Sequence, residues 1–111
     1  MIKQIDGLED LKNLKVGDKI YWKNEERGYT IKARNERYII VVKMMFGKPY
    51  YSILDLEQCI CSTNNYVFNP YDYCNQDDIE QSLIDLMNGE YELSRRNEVY
   101  ILQVIDRYKI A

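Results

Sequence analysis

The chain has 111 residues, with 15 Lys and Arg against 18 Asp and Glu, and no histidine. That length holds one domain (1–111) around one core, and is too short for a cofactor domain beside a substrate domain. Without histidine there is no Ser-His-Asp triad, no Cys-His pair and no His-ligated metal, so a non-enzymatic protein without a cofactor is expected.

The first ten residues carry acids and no apolar h-region, which argues against a secretory signal. Leu8, Leu11 and Leu14 repeat at threes and predict a short helical turn over about 7–14. After Val16-Gly17-Asp18, Lys19–Lys23 reads as a first strand. Asn24–Gly28 is a polar turn in which Gly28 is free to take a positive φ.

Two alternating runs follow, Tyr29–Arg34 and Arg37–Met44, separated by Asn35-Glu36. A two-residue hairpin would set Arg34 opposite Arg37, Lys32 opposite Ile39 and Thr30 opposite Val41. Tyr29, Ile31, Ala33, Tyr38, Ile40 and Val42 would then face the core. Glu suits the second position of such a turn poorly, which favours a loop longer by a residue or two.

Phe46–Pro49 is the next turn, and Tyr50–Leu56 the next strand. Short strands at Cys59–Cys61 and Tyr66–Phe68 are both compatible with residues 57–75. Asn75 as an N-cap, acids in the first turn, Ile79, Leu83, Leu86 and Met87 on one face, and Gly89 as a stop predict a helix near 76–88. Val99–Ile105 reads as a last strand, with a helix as the competing reading. The order implies an α+β fold: a small, strongly curved antiparallel sheet or SH3-like barrel of about five to six strands, covered by one helix near 76–88.

No apolar run is long enough for a membrane span, and three cysteines fit a reducing cytoplasm. Cys59 and Cys61 on one side of a strand, with Cys74, fall short of the four ligands zinc needs, so buried thiols are expected and no metal.

Charge is unevenly placed. Residues 1–50 hold 11 basic and 7 acidic side chains, whereas residues 51–111 hold 4 and 11. Between Lys48 and Arg95 there are acids but no base. Asp72, Asp77, Asp78, Glu80 and Asp85, with Tyr71 and Tyr73, would form an acidic, tyrosine-bearing face able to occupy a nucleic-acid-binding groove on another protein. An ordinary solvated helix face explains the same acids. On the other side of the charge balance, Lys32, Arg34, Arg37 and Lys43 share the predicted outer face of the hairpin with Ile39 and Val41. Beside Tyr21 and Trp22 they would hold phosphates while the rings stack on bases. A plain solvated sheet face is the alternative there too.

The stretch Val16–Trp22 resembles the opening of an SH3-like barrel. Together with Glu26–Ile40, Ile53–Glu57 and Ser94–Asn97 it resembles a group of small accessory proteins of phages and other mobile elements of Gram-positive bacteria, over about residues 16–97. The resemblance implies action inside a bacterial host cell, where small acidic proteins of that setting often inhibit defence systems, anti-CRISPR proteins among them. It supplies no functional residues. A host protein, such as a defence effector, is therefore the first partner expected, and nucleic acid the second.

Overall fold

The computed structural model describes residues 1–62, 81, 85, 88 and 98–111. In chain order these form β1 (Ile2–Gln4), α1 (Leu8–Lys12), β2 (Lys19–Trp22), β3 (Tyr29–Arg34), β4 (Tyr38–Met45), β5 (Lys48–Asp55), β6 (Ile60–Ser62), β7 (Glu98–Tyr100), α2 (Ile101–Val104) and β8 (Ile105–Lys109). The eight strands make one antiparallel sheet in the order β1-β8-β2-β3-β4-β5-β6-β7. Eight strands exceed the five to six expected. The additions are β1, and a last segment that is two strands broken by a helical turn.

That topology forces curvature. β8 stands second and β7 last in the strand order, six places apart, which in a flat sheet is about 29 Å at the usual strand spacing. They are joined only by the four residues of α2, which span about 6 Å as helix. The sheet therefore curls into a half-barrel until its two ends approach, and Ile101 and Ile105, at 0% and 1% exposure, close the gap from inside. The Ile101 amide donates to the carbonyl of Cys59 at 2.9 Å, fastening α2 to the turn before β6.

The concave side buries Ile20, Trp22, Tyr29, Ile31, Ile39, Val41, Leu54 and Cys61 with Leu11 and Leu14 from α1 and its exit. Ile39 and Val41, expected on the outer face, are thus fully buried in the core. The physical reason is register. Arg34 pairs with Ile39 and Ala33 with Ile40, but Ile31 pairs with Val41, so Lys32 is an extra residue in a bulge. The turn is set by Asn35, whose Oδ1 accepts the amides of Arg37 (2.9 Å) and Tyr38 (2.7 Å). Its centre is Glu36-Arg37, not Asn35-Glu36, and each strand meets the other one or two places from the simple register.

β4 is buried on both sides. Ala33, Tyr38, Ile40, Val42, Tyr51 and Ile53, which lie on the convex side of β3–β5, are all 7% exposed or less. That explains the unbroken apolar run Tyr38–Val42, a pattern of strands covered on both faces.

Gly28 has an ordinary negative-φ or extended backbone; the positive-φ glycines among the described residues are Gly17 and Gly47. Its place is fixed by space instead, because a Cβ there would lie 2.9 Å from Cζ of Tyr21. Cys59 is a turn residue with φ of 61°, outside the strand that carries Cys61. The expected strand at Tyr66–Phe68 and most of the expected helix 76–88 lie outside the described residues; Gln81 and Asp85 are helical. No helix of the described residues is long and apolar enough to cross a membrane.

Candidate functional site

Antiparallel neighbours directly opposite one another place their side chains on the same face. Lys19 in β2 is flanked by Lys109 of β8 on one side and Thr30 of β3 on the other. Two lysines are therefore set side by side on the convex face, an arrangement that like-charge repulsion disfavours. A cleft of about 600 Å³ opens next to them, lined among others by Lys19, Tyr21, Arg27, Thr30, Lys32 and Lys43, with Glu26 as the acid on its wall.

Lys19, Arg27, Lys32 and Lys109 are exposed, and none of the four forms an ion pair among the described residues. Lys43 is different: its Nζ lies 3.3 Å from Glu25 Oε2 and 4.7 Å from the centroid of the Tyr29 ring. The floor is rigid. Tyr21, 5% exposed, lies against Gly28, and the Arg107 guanidinium sits 5.2 Å from its ring centroid. Arg107 is itself fixed by the carbonyl of Trp22, 2.9 Å away, and by that of Glu25. Unpaired cations over a fixed floor suit a polyanion, whose phosphates exchange mobile counterions for them.

The four cations expected on the hairpin do not gather there. Lys32 and Lys43 line the cleft, but Arg34 and Arg37 serve the fold. Arg34 Nη1 donates to the carbonyls of Leu11 (2.7 Å) and Leu14 (2.6 Å), closing the end of α1, and burial pulls its pKa down. The bulge at Lys32 turns Arg34 toward that helix. Arg37 makes a two-pronged contact with Asp55, at 3.1 Å and 3.0 Å, and its hydrogen bonds to that carboxylate raise its pKa. A second concavity of about 590 Å³, lined by Lys12, Arg34, Asn35 and Glu36, thus contains a guanidinium already committed to carbonyls.

Stacking rings are also placed differently from expectation. Tyr21 and Trp22 are 5% and 8% exposed, and Trp22 packs on Tyr29 with ring centroids 4.4 Å apart. Among the described residues the most exposed ring is Phe46, at 91%. It occupies the tip of the β4–β5 hairpin with φ of 53°, followed by Gly47 with φ of 74°, the two positive angles of a type I′ turn. That turn favours Asn-Gly, and a bulky side chain in the left-handed region costs about 1 kcal/mol.

Of the acidic set, Asp72, Asp77, Asp78 and Glu80, with Tyr71 and Tyr73, lie outside the described residues. Asp85 accepts a hydrogen bond from Gln81 Nε2 at 2.9 Å. Cys61 is buried, which pushes its thiol up to about 12, while Cys59 Sγ lies 3.7 Å from the Leu56 carbonyl. No group of three or more Cys, Asp or Glu able to hold a metal occurs among the described residues.

What sequence reasoning missed is the Lys19–Lys109 pair. Nothing local links two lysines at opposite ends of the chain; only the insertion of β8 beside β2 does. No family model, curated protein or solved structure matches the chain.

Proposed function

We propose that this is a non-enzymatic binding protein of a phage or other mobile element, acting in a bacterial cell, whose basic convex face takes the phosphate backbone of a nucleic acid. The observation that carries the reading is the side-by-side placement of Lys19 and Lys109, with Lys32 and Arg27 across the adjoining cleft and no ion pair on any of them. Unrelieved repulsion between like charges is relieved when a polyanion binds. The curled sheet is read as a variant of the SH3-like barrel, a fold that hosts too many activities to favour one.

Salt dependence tests it. Three or four phosphate contacts predict that log affinity for an oligonucleotide falls with log salt at a slope of about −2 to −3. The triple variant Lys19→Glu, Lys32→Glu, Lys109→Glu should lose that binding. Absence of oligonucleotide binding by the unaltered protein at low salt would overturn the reading.

A second reading rests on the lack of any base between Lys48 and Arg95. In it Asp72, Asp77, Asp78, Glu80 and Asp85, with Tyr71 and Tyr73, bind a cationic groove of a host defence effector and occlude it, as an anti-CRISPR-like inhibitor would. Capture from host lysate that survives reversal of Asp77, Asp78, Glu80 and Asp85 to lysine would remove it.

A further inference from the structure

We infer that Phe46 is a base-stacking wedge, and hence that the nucleic acid taken by the basic face is single-stranded. The inference rests on the basic-face reading and names its substrate class.

Three observations converge on the hairpin tip. Phe46 is 91% exposed, so it contributes almost nothing to the core, and it sits where the backbone favours asparagine or glycine. A large apolar ring held in water on a disfavoured backbone is stabilised by nothing within the described chain. The tip is also joined to the basic cleft. Met44, 56% exposed, lines that cleft, and Phe46 follows two residues later, about 7 Å along the strand direction. Arg27 locks the two together by donating from Nη1 to the Met44 carbonyl at 3.2 Å. Finally, Tyr21, the ring that lines the cleft, and its neighbour Trp22 are buried and have no face to offer a base.

The chemistry follows from this layout. Lys19, Lys32 and Lys109 meet phosphates, and a ring at the rim meets whatever lies beside the phosphates. In a duplex the bases are stacked inside and present edges, whereas a single strand presents their faces. Cations in a track with an aromatic ring at its margin match a single strand, for which stacking is tolerant of sequence. The cleft fixes the backbone; the ring holds a base.

The experiment measures binding of single-stranded oligothymidylate, oligouridylate and a DNA duplex of the same length. Phe46→Ala should lower single-strand affinity about tenfold and leave the duplex unchanged. Its salt slope should stay the same, because no phosphate contact is lost. Phe46→Trp should keep the affinity, and its fluorescence should be quenched when a base stacks on it. Phe46→Asn should lose affinity as Phe46→Ala does while raising the melting temperature, which separates binding from folding. Comparable loss with the thymidine and uridine strands supports stacking, whichever sugar is preferred. If Phe46→Ala binds the single strand as well as the parent does, or weakens duplex equally, the wedge is overturned. In that outcome a loss of binding in the Lys19→Glu, Lys32→Glu, Lys109→Glu variant leaves the basic-face reading standing. If the parent protein binds none of the three probes at low salt, both fall together.

Discussion

The two ends of the β3–β4 hairpin use positive charge in opposite ways. At the turn end, Arg34 and Arg37 are fully occupied, one by helix carbonyls and the other by a carboxylate that is 2% exposed. At the other end, and on β2 and β8 beside it, Lys19, Lys32 and Lys109 have no ionic partner among the described residues. The contrast follows the chemistry of the two side chains. A guanidinium is planar, weakly hydrated and able to satisfy several acceptors at once, which suits Arg34 and Arg37, while an ammonium keeps its water, which suits Lys19, Lys32 and Lys109. Lys43, held by Glu25, and the exposed Arg27 depart from that division. Cations of this hairpin and of the strands beside it therefore divide into those that hold the fold and those that are free to act.

Breaking the turn end should have the largest effect. Arg37→Ala leaves the Asp55 carboxylate buried with, among the described residues, only the amides of Glu57 and Gln58 as donors, and is expected to cost about 3 kcal/mol. Denaturant titration reads this directly. A loss below about 1 kcal/mol would place Arg37 with the exposed cations after all.

Next comes the strap beneath the basic face. Asp18, 5% exposed, accepts the amides of Ala111 (3.0 Å) and Lys15 (2.8 Å), and those bonds lower its pKa. A folded pKa below the unfolded one means that its stabilisation is present above about pH 4 and is lost as pH falls through the lower folded value. Asp18→Asn should cost about 2 kcal/mol at neutral pH. It should also flatten the fall in stability below pH 4; an unchanged acid limb would show that this carboxylate does not set it.

The smallest effect has the opposite sign. Lys19→Glu replaces repulsion with attraction toward Lys109 and should stabilise the fold by about 0.5 kcal/mol while weakening oligonucleotide binding. Stabilisation together with loss of binding would mark a charge kept for contact. Destabilisation would mark Lys19 as one more cation of the turn-end kind.

Alternation in Tyr29–Arg34 was legible because a strand shows its period locally, and so was the α+β character of a curved sheet, whereas Tyr38–Val42 is buried on both faces and does not alternate. The register was not. It depends on one extra residue, Lys32, and on the Asn35 side chain, and those two details bring Ile39, Val41 and Arg34 to the concave side. β1 and β8 escaped for a different reason: Ile2–Gln4 and Ile105–Lys109 are short, mixed in composition, and become strands only by pairing with each other and with β2. The basic cleft was half visible, since Lys32 and Lys43 were singled out, while Lys19 and Lys109 required knowledge of which strands are neighbours. Phe46 read as a turn residue and nothing more, because exposure and φ are properties of the folded chain.

The insertion of β8 between β1 and β2 has a consequence for how the molecule comes into being. β3, β4 and β5 are joined by tight turns and can pair as soon as they are synthesised, but the Arg107 guanidinium reaches a carbonyl 85 positions away in the chain. Until residues 105–109 leave the ribosome, β1 has no neighbour, β2 has only β3, and the sheet has unpaired edges that invite pairing with other chains. Closure of so long a loop is expected to come after the hairpins, and refolding followed by Trp22 fluorescence should show it as a later phase. The basic face, which needs Lys109 beside Lys19, is then expected to form with that closure and not before it.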